Sequence, residues 1–191
     1  MNIILASNSP RRKELLELAK VDFKIITKDV EEVLDKTKEV SKQIEQIAYT
    51  KANAVAVDYP ECLVIGADTV VVINDQILGK PKDKEDARRM MKMLQNNTHQ
   101  VITGVALCYK GNVELFHEVT NVIFYPMTDE EIENYINSKD IYDKAGAYAI
   151  QGEAALYIQS IVGDYYNVMG LPISRLYKKI QQIKTVFLQK K

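Results

Sequence analysis

Near the middle of the chain two long apolar runs, HQVITGVALCY (residues 99–109) and VELFHEVTNVIFY (residues 113–125), flank the short turn KGN. Strand-like runs joined this tightly can only pair antiparallel, so they predict a β-hairpin. Around the hairpin, strand-like and helix-like segments alternate. NIILA reads as a short buried strand, VDFKIIT as a second, and CLVIGADTVVVI, rich in β-branched residues, as the most strand-like stretch of all. Val40, Ile44, Ile47, Ala48 and Val55 recur at helical spacing from about residue 39 to 57. A turn at NDQ leads into ILGKPKD, after which Asp83 caps a helix carrying Ala87, Met90, Met91 and Leu94. TDEE has the capping-box spacing from Thr128 to Glu131, AALYIQSIV reads as another strand, and a last helix opens near Pro172. Alternation predicts an α/β fold, and the hairpin excludes a purely parallel sheet; the sheet is therefore expected to be mixed.

A chain of 191 residues, 47% of them hydrophobic, suits one large domain or two tightly fused halves with a substantial core. A smaller lobe is expected around residues 126–160. The formal net charge of -1 speaks against nucleic acid as a partner. Cys62 and Cys108 both lie in apolar runs and read as reduced, buried thiols of a cytoplasmic protein. With only His99 and His117 available, no histidine metal site is expected. The run IILA is too short for a signal peptide, and no stretch approaches the ~18 apolar residues of a membrane span.

Chemistry is suggested first by SNSPRRKE. Ser9 and Pro10 read as the cap and first residue of a helix, with Leu15, Leu16, Leu18 and Ala19 on its apolar side. Arg11, Arg12 and Lys13 then crowd the first turn, where the helix dipole is already positive. Three cations there either fan into water, each at a cost of about 0.3–1 kcal/mol, or meet an anion that also takes the free helix amides. Directly after a buried strand and the SNSP turn, the second reading is preferred. Asp68 sits inside an expected interior strand, where a carboxylate needs a cation, a metal or hydrogen-bond donors; the alternative is a cap at a strand end. Gly66 before it is expected to mark a bulge that re-aims the side chain. Glu31 and Glu32 offer a second carboxylate, and Lys80 and Lys82 lie in the loop GKPKD. Together these are the parts of metal-assisted phosphate chemistry. Neither GxxxxGK[ST] nor GxGxxG occurs, so neither a P-loop nor a dinucleotide site is supported. DKAGAYAIQG, with Gly146 and Gly152, would suit a loop closing over a base.

The motifs LASNSPRRKELL, Lys51–Ala52, GADTVV, GKP, HQVITGV, DKAGAYAIQG and DYYNVMGLPI stand in an order that closely resembles the Maf family of nucleoside triphosphate pyrophosphatases. The resemblance runs nearly end to end and implies a single Maf-type domain over residues 1–191. It implies a long twisted mixed sheet flanked by helices, shared with the inosine triphosphatases, and a homodimer. It also implies hydrolysis of a nucleoside triphosphate to the monophosphate and pyrophosphate with Mg²⁺ or Mn²⁺, a house-cleaning activity tied to cell-division arrest. Thr69 and Gln151 match the branch of the family that prefers dTTP and UTP, extending to modified pyrimidine nucleotides; the 7-methyl-GTP branch has Gln at the position of Thr69. By the same resemblance Asp68 is the proton acceptor, Arg12, Thr69 and Gln151 set substrate specificity, and Ser7, Arg11, Lys51 and Lys80 bind phosphate. Glu32 and Asp68 are then the metal ligands. Glu153 and Ala154 depart from the smaller residues common in the family. The rival expectation is a non-catalytic nucleotide-binding regulator of septum formation, against which an intact Asp68 with lysines nearby argues.

Overall fold

The computed structural model describes residues 1–32, 37–137 and 141–188. In chain order its elements are β1 (Ile3–Leu5), α1 (Pro10–Leu18), β2 (Lys24–Ile25), α2 (Val40–Ala56), β3 (Leu63–Ile73), β4 (Gln76–Leu78) and α3 (Lys84–Leu94). Then follow β5 (Thr98–Tyr109), β6 (Asn112–Phe124), α4 (Asp129–Ile136), β7 (Ile158–Val162), α5 (Tyr165–Met169) and α6 (Ile173–Leu188). The strands form one seven-stranded sheet in the order β2-β1-β3-β5-β6-β7, with β4 beside β3. β1 pairs parallel with β2 and β3, while β4 runs antiparallel to β3 and β7 to β6. The fold is thus α/β with a mixed sheet, as the alternation and the hairpin predict. The hairpin turn is tighter than KGN suggests: only Lys110 and Gly111, both at positive φ (49° and 76°), separate β5 from β6. Asn74 and Asp75, at 49° and 59°, make the same kind of two-residue turn between β3 and β4.

Two compact units divide the chain. The first comprises Met1–Asp68, Thr103–Glu118 and Gly170–Lys191. Its helix α2 buries Ala48, Ala52 and Val55 among Ile4, Ala6, Val64, Ala106 and Cys108. Two glycines make that packing close. A Cβ on Gly66 would stand 2.2 Å from the Ala48 carbonyl oxygen, and one on Gly104 would stand 2.6 Å from the Ile44 carbonyl. Gly66 therefore serves the seating of α2 on β3. On α1 only Leu15 and Leu16 of the four expected apolar residues are buried; Leu18 is 61% exposed, because it falls on the outer side of the last turn. Both cysteines are free, Cys62 half-buried and Cys108 buried, where loss of solvent pushes the Cys108 thiol up to about 11.

The second unit comprises Thr69–Ile102 and Val119–Met169. Its core gathers Val71, Leu78, Met90, Met91, Leu94, Phe124, Ile132 and Tyr148. Both expected helix starts are present. Asp83 accepts from the Asp86 amide at 2.8 Å, and Thr128 and Glu131 close a capping box. Three expectations shift. VDFKIIT yields only two strand residues; Ala154–Leu156 fall in a short 3-10 turn (Glu153–Leu156), so β7 begins at Ile158; and α5 has no counterpart in the sequence reading. Residues 138–140 of the lobe expected around residues 126–160 lie outside the described residues. Among the described residues no helix is long and apolar enough to cross a membrane.

Candidate active site

The opening strand–turn–helix is built as the sequence predicts, with Ser9 at the cap and Pro10 at the first helical position. The Ser9 side chain makes no capping bond. Instead its amide donates to Ser7 Oγ at 3.3 Å. No acidic residue balances the first turn. The three cations do not fan out alike. Lys13 is exposed and faces Glu17 at 3.7 Å, whereas Arg12 is turned inward and 9% exposed. Its Nε donates to the Gly170 carbonyl at 2.9 Å and one terminal nitrogen to Ser7 Oγ at 3.0 Å. Burial holds the Arg12 guanidinium below its ordinary pKa; Asp68 and Glu32 oppose that shift, and the neighbouring charge of Arg11 adds to it. A guanidinium keeps its proton throughout, so a fixed positive charge is buried behind a helix N-terminus.

The carboxylates meet on α2. Gly66 and Asp68 are two residues apart on β3 and so point to the same face. The missing Cβ of Gly66 admits Ala48 and Ala52, and Lys51, beside Ala52 on the helix, then reaches Asp68. Lys51 Nζ lies 2.6 Å from Asp68 Oδ1 and 2.9 Å from Glu32 Oε1. The ammonium and Asp68 are largely shielded (19% and 14% exposed), while Glu32 is half open at 51%. Asp68 is thus an interior-strand carboxylate with a cationic partner. Ser7, Arg12, Glu32, Lys51 and Asp68 all belong to the first unit, and two groups form among them: Ser7 with Arg12, and Lys51 with both acids. Gly170, which anchors Arg12 from the far end of the sequence, is missed by motif reading because a backbone carbonyl has no side-chain signature; its place in DYYNVMGLPI is the only hint.

Thr69, Lys80 and Gln151 belong to the second unit. Thr69 follows Asp68 on β3 and faces the other side of the strand. Lys80 is exposed in the loop after β4, next to Gly79, whose carbonyl accepts from the Gly146 amide at 3.0 Å. Gly146, at φ 68°, lies so close to Val71 that a Cβ would meet its side chain at 2.9 Å. The segment carrying Gln151 is thereby fastened to the β3–β4 hairpin and the loop of Lys80. Gln151 itself is exposed on a turn closed by the Gly152 amide on the Ala149 carbonyl at 3.0 Å. Ala154, a departure from the family pattern, is fully buried, while Glu153 is exposed.

A divalent cation fits the first group. Two carboxylates already share one cationic charge, the Lys51 ammonium, which stands in for it. A hard ion completed by phosphate oxygens and water needs only one or two protein carboxylates. Among the described residues no cluster of three or more His, Cys, Asp or Glu is gathered for a metal, so any ion here would depend on its substrate for much of its shell.

A family model described as "Maf-like protein" matches residues 2–183. The chain is similar to a dTTP/UTP pyrophosphatase of a Geobacillus species, 50% identical over 181 residues and covering 95% of this chain and 97% of that protein. It is also similar to the dTTP/UTP pyrophosphatase of Bacillus cereus, 47% identical over 180 residues and covering 94% of each. Among solved structures, the Ham1 protein of Staphylococcus aureus is similar over 65% of this chain and 72% of that one, at 18% identity and a TM-score of 0.48. The Arg12 and Asp68 groups thus stand in a chain whose match to one family is nearly complete, and the protein belongs to the Maf family.

Proposed function

We propose that this protein hydrolyses dTTP and UTP, and modified pyrimidine triphosphates, to the monophosphate and pyrophosphate. The observation that carries the reading is Lys51 held between Asp68 and Glu32: a shielded carboxylate and a half-open one that share a single ammonium. Lys51 engages Oδ1 of Asp68, and Oδ2 is then the atom that takes the proton of the attacking water at the α-phosphorus. Glu32 and Asp68 would hold Mg²⁺ or Mn²⁺, which supplies charge neutralisation for the triphosphate. As substrate arrives, its phosphates draw Lys51 from the acids. Ser7, Arg11 and Lys80 hold the pyrophosphate that leaves, helped by the amides of α1. Arg12, fixed by Ser7 and Gly170, is too constrained to follow a moving group and acts as a rigid specificity residue; Thr69 and Gln151 are the other specificity residues. Free thiols at Cys62 and Cys108 support a cytoplasmic setting, and the family resemblance supports a homodimer, which sedimentation would read.

The test is pyrophosphate release from a panel of nucleoside triphosphates with Mg²⁺, with Mn²⁺ and with chelator. Metal-dependent cleavage concentrated on dTTP and UTP is expected. Tight binding of those nucleotides without product would instead mark a sensor.

A further inference from the structure

Among the buried polar groups that the mechanism leaves unused is a histidine in the core of the second unit. His99, on β5, is 2% exposed, and its Nε2 lies 2.7 Å from the Tyr148 hydroxyl, itself on a residue 5% exposed. The two rings and Phe124 pack with centroids 5.2–5.3 Å apart. Burial drives the His99 imidazole down to about 4 and raises the Tyr148 phenol, so both are neutral at ordinary pH. A core that required only volume would be served by two apolar side chains, without the cost of desolvating a hydroxyl and an imidazole. What the pair holds is position. Tyr148 lies three residues before Gln151.

A second bond acts on the same segment. The Tyr135 hydroxyl, on α4, donates to the Ala147 carbonyl at 3.1 Å. Ala147 is a non-glycine residue at φ 60°, fully buried, directly after Gly146 at φ 68°. Consecutive left-handed residues persist only where their surroundings over-determine them. Here the surroundings are Tyr135 on the carbonyl of Ala147, Gly79 on the amide of Gly146, and His99 on the next side chain along. The chain then turns at Ala149–Gly152 and presents Gln151 to solvent, with Ile150 and Ala154 buried on either side.

We infer that His99, Tyr135 and Tyr148 are positioning residues that clamp the Gln151 turn and thereby set discrimination among pyrimidine bases. The inference rests on the reading of Gln151 as a base-contacting residue. None of the three needs to touch substrate. A base-reading amide acts through hydrogen-bond geometry, and a displacement of about 1 Å is enough to lose roughly a hundredfold in a well-aligned site.

The test compares kcat and KM for dTTP and dCTP in Tyr135→Phe and Tyr148→Phe, which remove one oxygen each and keep the ring. Each is expected to lower the dTTP-over-dCTP ratio of kcat/KM by about tenfold, through KM for dTTP, with kcat held within about twofold. His99→Gln, which can still meet the Tyr148 hydroxyl, should retain more of the ratio than His99→Phe. Amide exchange across residues 145–152 should quicken in the hydroxyl variants. Unchanged ratios with a lowered unfolding midpoint would overturn the inference and leave the trio as core alone. Gln151→Ala, run beside them, separates the two claims. If it loses the ratio while the hydroxyl variants keep it, the clamp fails and the base reading stands; if it keeps the ratio, the base reading fails and the clamp's role in specificity with it.

Discussion

In the first unit the groups that meet at Asp68 are charged, and the Lys51 ammonium sits on two carboxylates, Asp68 and Glu32, for which another cation can compete. In the second unit the shielded polar groups around Gln151 are neutral and hold each other or the backbone: His99 with Tyr148, Tyr135 with Ala147. The first arrangement can exchange partners at modest cost, because a departing ammonium is replaced by another cation or by water. The second cannot, since a broken pair would leave buried atoms with no partner at all. Charge that moves belongs with catalysis, and neutral polarity that stays belongs with shape.

Removing the carboxylate at the centre of the first group is expected to have the largest effect. Asp68→Asn should lower pyrophosphate release at least a thousandfold while thermal unfolding stays cooperative, since the amide fits the same space. Near-full turnover in that variant would remove Asp68 from the chemistry. Next comes the packing that aims Lys51. Gly66→Val places side-chain carbon where the α2 backbone already is, and urea unfolding should report a loss of about 3 kcal/mol or more. Gly79, with nothing within 4 Å of a built Cβ and an ordinary negative φ, is the control: Gly79→Ala should change stability by less than about 1 kcal/mol.

Some of this was legible in the sequence. Ala87, Met90, Met91 and Leu94 repeat at helical spacing and are the four buried residues of α3, because that helix meets the core along one regular stripe. Asp68 was legible as a carboxylate in want of a partner, but not which partner: Lys51 lies 17 residues away on another element. The 3-10 turn at Glu153–Leu156 reads as strand in the sequence because Ala154, Ala155 and Leu156 form an apolar run that leads straight into β7. Ala154 is buried to close the Gln151 turn, whereas Leu156 is 73% exposed. Helix α5 is five residues long, too short for periodicity to announce. The left-handed Ala147 carries no signal in its own identity, since its conformation is imposed by Tyr135 and Gly146 from outside.

Acid should break the neutral region in a pH window of its own. The folded protein holds His99 at about 4, against 6.5 for the free side chain, so the unfolded chain binds a proton that the folded one refuses. Stability is whole above about pH 6.5 and is lost as pH falls toward 4, by about 3 kcal/mol for this group. Unfolding midpoints measured across that range should fall in the native protein and flatten in His99→Gln. Arg88, hydrogen-bonded to Glu133, holds that carboxyl down to about 2, so the loss from this surface pair begins below the carboxylate's usual 4.5 and is separable from that of His99.

The smallest expected effect tests whether the clamp is local. Thr128 caps α4, and its hydroxyl accepts from the Glu131 amide at 3.2 Å. Thr128→Ala should cost about 1 kcal/mol in unfolding experiments, the usual worth of such a cap. Tyr135 is two turns along the same helix and 2% exposed, held by the aromatic packing around it rather than by the helix start. Its bond to Ala147 should therefore survive, and the dTTP-over-dCTP ratio should stay at the native value while stability drops. A general loosening of the second unit would lower both together. Only a geometry fixed by the buried hydroxyls themselves predicts that Thr128→Ala spends stability without touching discrimination, while Tyr135→Phe, one oxygen lighter on the same helix, loses discrimination.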